Sequence, residues 1–214
     1  MDIDPTIDGI LHALMTAPTV ADAYNEYAKD DPHNAIRRDN FRLYLQHMQQ
    51  RRPKTMLVME APGYRGCRLT GVPVTSRKVL LEGVPELDFF GEDKGYRVTH
   101  DPDFENIYGE QSATIVWGTL AQIGYLPLIW NTFPFHPHKA GKPRTNRPPR
   151  AAEKALGADF LQAMLTLFQP KQVIAIGNVA HDTLTKIGLD VAKVRHPAQG
   201  GKNDFVAGLT GLLK

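Results

Sequence analysis

The chain has 214 residues, 42% of them hydrophobic, a formal net charge of +2 and a single cysteine, Cys67. That length suits one domain, since domains run to roughly 100–200 residues. One cysteine excludes an internal disulfide and an all-cysteine metal cluster, and so small a net charge gives no whole-molecule argument for a polyanionic partner. No apolar stretch approaches the ~18 residues a membrane span needs, and the acidic start MDIDPTIDGI does not look like a secretory signal. The expectation is a soluble, cytoplasmic, monomeric protein.

In chain order, the first 54 residues read as a helical extension packed on a single domain spanning 1–214. Ile10, Leu11, Leu14 and Met15 form one apolar stripe, and Phe41, Leu43, Tyr44, Leu45 and Met48 another. Four short apolar runs then read as buried strands: Met56–Met59, Leu126–Trp130, Gln172–Ile176 and Val191–Val194. Between them, Ser112–Ile123, Ala151–Phe168 and Asn178–Ile187 carry helical patterning. A last helix, capped by Asn203 or Asp204, carries Phe205, Val206, Leu209 and Leu212. Strands alternating with helices imply parallel pairing, because each crossover needs room for a helix. The predicted fold is α/β, a three-layer α/β/α sandwich on a central four-stranded parallel sheet.

Two basic runs stand out. Lys139, Lys142, Arg144, Arg147 and Arg150 lie in a long Pro- and Gly-rich loop, and Arg37, Arg38, Arg42, Arg51, Arg52 and Lys54 precede the first main strand. Each alone reads as a solvated face; together they shift the balance toward phosphate contact.

Ligands of open α/β sheets bind beyond the carboxyl ends of the strands. Those ends read Glu60-Ala61-Pro62-Gly63, Asn131-Thr132-Phe133-Pro134, Gly177-Asn178 and Arg195-His196-Pro197. A carboxylate, an amide, a glycine-opened helix start and an imidazole would then converge on one crevice. An Asn carboxamide pairs an acceptor and a donor on one plane, matching the edge of a base. A histidine can stabilise negative charge on a departing group, and a Glu can hold or activate a water. Hydrolysis of an N-glycosidic bond needs those three parts. Other chemistries are disfavoured: there is no G-x-G-x-x-G and no P-loop. The only serines, Ser76 and Ser112, lie outside any G-x-S-x-G. His136 and His138 in FHPH are too few for a zinc site.

Five segments in order, MEAPGYRG (Met59–Gly66), GVPVTS (Gly71–Ser76), IWNTFPFHPH (Ile129–His138), IAIGNVA (Ile174–Ala180) and RHPAQGG (Arg195–Gly201), resemble the uracil-DNA glycosylase superfamily. The resemblance runs from Met56 to Leu213 and is nearest to bacterial uracil-DNA glycosylase-like proteins that share the Glu-Ala-Pro-Gly loop with the iron–sulfur class. It implies a cofactor-free, metal-free glycosylase acting on uracil or another deaminated base in single- or double-stranded DNA. Glu60–Gly63, including Ala61 and Pro62, would form the water-activating loop. With Ala61 where the best-studied members have aspartate, Glu60 either positions the water or orders the loop by bonding backbone amides. Asn131 would read the base edge and His196 would donate to its carbonyl. Gln199, in the loop Pro197–Gly201, would fill the space left by the flipped base. Ser76, Gly200 and Gly201 would contact phosphates, as would Arg65, Arg68 and Lys202. The chain departs from the family at Val74, where an aromatic usually stacks on the base, and at Gly63, where some members carry a tyrosine that excludes thymine. It departs also at Gly66, often an acid, and at Met59, usually Gly. Ala61 and Val74 equally suit a DNA-binding member that has lost turnover.

Overall fold

The computed structural model describes residues 2–101 and 104–214. Helix α1 (Ile7–Thr16) is opened by the Thr6 side chain, which accepts from the Gly9 amide. After it, Ala23–Tyr24 form the two-residue strand β1 and Asn34–Arg51 form α2. The two apolar stripes of the N-terminal region are therefore two helices separated by a turn-rich stretch. Strand β2 (Thr55–Met59) is followed by the short helices α3 (Cys67–Thr70) and α4 (Arg77–Glu82), then by α5 (Gln111–Ile123). Strand β3 (Leu128–Asn131), the two-residue β4 (His136–Pro137), α6 (Ala151–Phe168), β5 (Gln172–Ile176), α7 (Asn178–Lys186), β6 (Ala192–Val194) and α8 (Lys202–Leu213) complete the chain.

The main sheet has the order β3-β2-β5-β6, all parallel. Helices flank it, so the architecture is the α/β/α sandwich expected. Every residue of β2 and β3 is buried, as strands covered on both faces must be. The first strand, β2, lies inside the sheet. The chain moves outward to β3, then returns across to β5, which puts a topological switch point between β2 and β5.

Helices α1 and α2 share the central core rather than resting on its surface. Phe41 of α2 stacks on Trp130 of β3 with ring centroids 5.3 Å apart. The hydroxyl of Tyr44 accepts from Ile129 N at 2.8 Å and donates to Ile129 O at 3.0 Å. One tyrosine thus satisfies the outer edge of β3 and closes it to further strand pairing.

The last helix starts at Lys202 with Gly201 as its cap and no capping side chain, so neither Asn203 nor Asp204 caps it. Asp204 sits instead in the first turn, where its charge complements the helix dipole.

Part of the charge in the two basic runs is already paired, Arg37 in the interior and Arg42, Arg51 and Arg150 on the surface. Arg37 and Arg77 are almost fully buried and both hold Asp101, at 2.6 Å and 2.8 Å. Arg38 caps the carbonyls of Tyr27 and Ala28, Arg42 pairs with Asp8, and Arg51 with Asp88. In the long loop, Arg147 grips Glu153 through two bonds of 2.6 Å and 2.7 Å, and Arg150 pairs with Asp22. Burying aliphatic stems and pairing guanidinium groups is what arginine does best in an interior; a run of basic letters cannot show it.

Candidate active site

A cavity of about 940 Å³ opens at the carboxyl ends of the strands, beside the switch point. Six segments form it, two of them Val74–Thr75 and Glu110–Ser112. The Glu60–Gly63 loop follows β2, and Gly177–Val179 starts α7 after β5. Lys193–Gln199 runs from β6, and Asn146–Pro148 comes across from the long loop. Glu60, Ala61, Pro62, Gly63, Val74, His196 and Gln199, all expected at the site, line this one cavity.

The β2 and β3 ends are tied together. The Glu60 carbonyl accepts from Thr132 Oγ1 at 2.6 Å and from the Phe133 amide at 3.3 Å. The Glu60 carboxylate accepts no hydrogen bond among the described residues, so the loop is ordered through the backbone of Glu60 rather than through its side chain. Burial raises the carboxyl's pKa, and the Lys154 charge opposes this only in part.

His196 is placed by a close approach that needs glycine. A Cβ on Gly177, whose φ is +88°, would stand 3.2 Å from the His196 Cβ. The Ala198 amide donates to His196 Nδ1 at 3.1 Å. An amide can only donate, so Nδ1 is the bare nitrogen and the neutral ring carries its proton on Nε2. Burial, aided by the Arg195 charge, lowers the imidazole's pKa and keeps it neutral at neutral pH.

Asn131 ends β3 in register with Met59, a cavity residue, but does not itself line the cavity. It is 2% exposed, and its Oδ1 is buried without a hydrogen-bond partner. A buried carboxamide oxygen left unmet is costly and rare, and its position at the strand end next to the cavity is suited to a ligand donor.

Val74 reaches the cavity in the left-handed region, φ 54°, where a β-branched residue is strained. The indole of Trp117 holds it there by donating to its carbonyl at 2.8 Å. Gln199 also has a positive φ, 53°, and stands exposed on the cavity wall. Arg65 is exposed at the rim, its guanidinium 5.3 Å from the Tyr64 ring centre and 5.2 Å from that of Tyr108. Arg68 is partly buried over Tyr24 and Phe104. Gly200 and Lys202 are exposed beside the cavity loop.

Two expected phosphate contacts need correction. Ser76 is fully buried and its hydroxyl caps α4 by accepting from the Val79 amide, so it has no exposed donor. The pattern of a serine directly before a helical run carries that signal. The Gly201 amide is likewise committed, donating to the Ala198 carbonyl at 3.1 Å in the turn that aims His196.

Two residues at the site, Glu110 and Asn146, escaped the sequence reading, and a third, His136, is weighed there only as a zinc ligand and set aside. Glu110 lines the cavity while capping α5 through bonds to the Ser112 and Ala113 amides. Asn146 bridges from the long loop to Tyr64. His136, fully buried, places Nδ1 2.9 Å from the Pro62 carbonyl and Nε2 3.2 Å from the Pro143 carbonyl. Burial holds that ring down at about 4, so at neutral pH it has one proton for two acceptors. It packs between the loop after β2 and the long loop and donates to one of the two carbonyls at a time.

The fold resembles a crystal structure of wild-type SMUG2 from Pedobacter heparinus, with a TM-score of 0.64 at 14% sequence identity over 96% of this chain and 95% of that one. No curated protein matches the chain. The family model of the uracil DNA glycosylase superfamily matches residues 46–208, which include every strand of the main sheet and every cavity segment. The chain therefore belongs to the uracil DNA glycosylase superfamily, a family of DNA glycosylases.

Proposed function

We propose that this protein hydrolyses the N-glycosidic bond of a deaminated base flipped out of DNA, uracil first among such bases. The observation that carries the reading is the His196 tautomer. Its bare Nδ1 takes the Ala198 amide, which leaves a neutral Nε2–H donor on a ring that lines the cavity. As the C1′–N bond breaks, its electron pair goes to the base, and a fixed donor at the base carbonyl stabilises that charge. A water held by Glu60 supplies the oxygen that bonds to C1′ and gives up a proton, and the departing base ends protonated. The buried carboxamide of Asn131 reads the base edge. Val74 packs against the base with less stacking than an aromatic would give, a difference of about 1–3 kcal/mol. Gln199 fills the gap in the stack, and flipping itself costs a few kcal/mol.

The test is incubation with uracil-containing single- and double-stranded oligonucleotides, followed by alkaline cleavage at abasic sites. Cleavage that disappears in Asn131→Ala and His196→Ala supports the reading. Salt-sensitive binding with no abasic sites from uracil, hypoxanthine, xanthine or mismatched thymine would support a DNA-binding member without turnover, the reading that Ala61 and Val74 favour.

A further inference from the structure

Two stretches of the cavity wall meet outside it through a ladder of aromatic and cationic side chains. Gly63 and Gly66 both line the cavity, and the Gly66 amide donates to the Gly63 carbonyl at 3.0 Å, which puts Tyr64 and Arg65 at the tip of a tight turn. The Tyr64 amide donates to Asn146 Oδ1 at 3.0 Å, and a Cβ on Gly66 would stand 2.8 Å from the Thr75 carbonyl oxygen, so the turn is seated firmly. On the other stretch, Tyr108 stands just ahead of the cavity residue Glu110. Its segment is pinned by the buried Arg77, which donates to the carbonyls of Phe104 and Asn106, and its ring meets Phe104 edge-on at 6.2 Å.

The exposed Arg65 guanidinium bridges the two stretches, 5.3 Å from the Tyr64 ring centre and 5.2 Å from that of Tyr108. It pairs with no carboxylate among the described residues. Both rings keep part of their surface open. Ile107, beside Tyr108, is 53% exposed, more than any other large apolar side chain among the described residues. Guanidinium planes and tyrosine rings are surfaces on which unpaired bases of any kind stack, whereas a phosphate needs only the charge. A base inside a duplex has both faces covered by its neighbours, and a base in a single strand does not.

We propose that Tyr64, Arg65, Ile107 and Tyr108 form a stacking platform for an unpaired base next to the nucleotide held in the cavity, a contact that single-stranded DNA makes and an intact duplex does not. The inference rests on the glycosylase reading and adds where the neighbouring nucleotide of a single strand lies.

Binding is measured by fluorescence anisotropy with a single strand and a duplex that each carry one 2′-fluoro-deoxyuridine, whose glycosidic bond resists cleavage. A third probe is the same single strand with abasic spacers on both sides of that nucleotide, which removes the neighbouring bases and keeps their phosphates. Arg65→Lys keeps the charge and removes the plane, and Ile107→Ser removes exposed apolar surface. Both side chains are exposed, and thermal midpoints are measured alongside. The expected result is a loss of roughly fivefold or more in affinity for the single strand, with little loss on the duplex or the spacer probe. Such a loss in either variant, absent from the spacer probe, supports the platform. Affinity within about twofold of wild type in both variants, or a loss that persists undiminished on the duplex or the spacer probe, overturns it and leaves the glycosylase reading standing. Wild-type protein that binds the single strand but makes no abasic sites in uracil-containing DNA overturns the glycosylase reading alone, and one that binds no probe overturns both.

Discussion

The Glu60 carbonyl and the Thr132 hydroxyl, 2.6 Å apart, join the ends of two adjacent strands at the edge of the cavity. Thr132 is fully buried, so its hydroxyl has no competing water. The bond fixes the backbone of the loop while leaving the Glu60 carboxylate free for a ligand. Thr132→Val keeps the shape and removes the donor. The expected cost is about 1–3 kcal/mol of stability in denaturant unfolding, because the carbonyl keeps only the longer Phe133 bond. Glycosylase activity should fall by more than the lost folded fraction explains, since the loop also loses its register. Unchanged turnover in a folded Thr132→Val protein would show that loop position does not depend on this contact.

Glu26 gives a pH signature that can be assigned to one group. It is fully buried, accepts from the His136 amide at 3.2 Å and lies 3.6 Å from Cys67 Sγ. Burial pushes its pKa up to about 8 from an ordinary 4.5. Between those two values the folded chain keeps a proton that the unfolded chain releases. The stability this group contributes is therefore complete at acid pH and is lost as pH rises through about 8. Glu26→Gln stays neutral throughout. Its stability relative to wild type should rise across that window by an amount on the order of several kcal/mol. His136 and His196, with lowered pKa values, tilt stability the opposite way below their ordinary 6.5, so the difference between variant and wild type is the quantity to follow. Parallel stability curves from acid to alkaline pH would mean that Glu26 ionises normally.

How much of this was legible in the sequence follows from how local each cause is. Strands buried on both faces leave uninterrupted apolar runs, so β2 and β3 could be read within a few residues of their bounds; β5, buried at its carboxyl end, and the largely exposed edge strand β6 were legible from their short apolar stretches between helical patterns. Their carboxyl ends, and hence Glu60, Asn131 and His196, followed directly. What could not be read depends on contacts between distant segments. Nothing near Asn146 announces its bond to Tyr64, and nothing near Arg37 or Arg77 announces Asp101. The basic runs show the same limit, because charge in a sequence looks alike whether it meets solvent or, as at Arg37, a buried carboxylate. Ser76 is different. Its capping role is local and visible, and the phosphate reading passed over it.

The distinction between spent and available charge can be measured. Lys193 and Arg195 line the cavity and are exposed. Arg147 is held by Glu153, which is 2% exposed. Lys193→Ala and Arg195→Ala should each lower the salt dependence of DNA binding by about one unit of slope, with little effect on stability. Arg147→Met should leave the slope unchanged and cost about 3–5 kcal/mol, because it strands a buried carboxylate. A reduced slope in Arg147→Met would place that guanidinium on DNA after all.

The acid side of the activity profile tests the role given to Glu60. Its carboxyl lies partly desolvated in the cavity, so its pKa is raised above the ordinary 4.5. A carboxylate that holds the attacking water must be ionised, and activity should therefore fall with decreasing pH sooner than for an exposed glutamate. Glu60→Gln keeps the size and a polar oxygen but cannot ionise. The variant should be slower by roughly ten- to a thousandfold and should lose that acid limb. His196 also titrates on the acid side, with a pKa lowered by burial and by Arg195. A Glu60→Gln enzyme that keeps the wild-type acid limb would therefore assign the limb to His196, and would reduce Glu60 to the backbone contact it makes with Thr132.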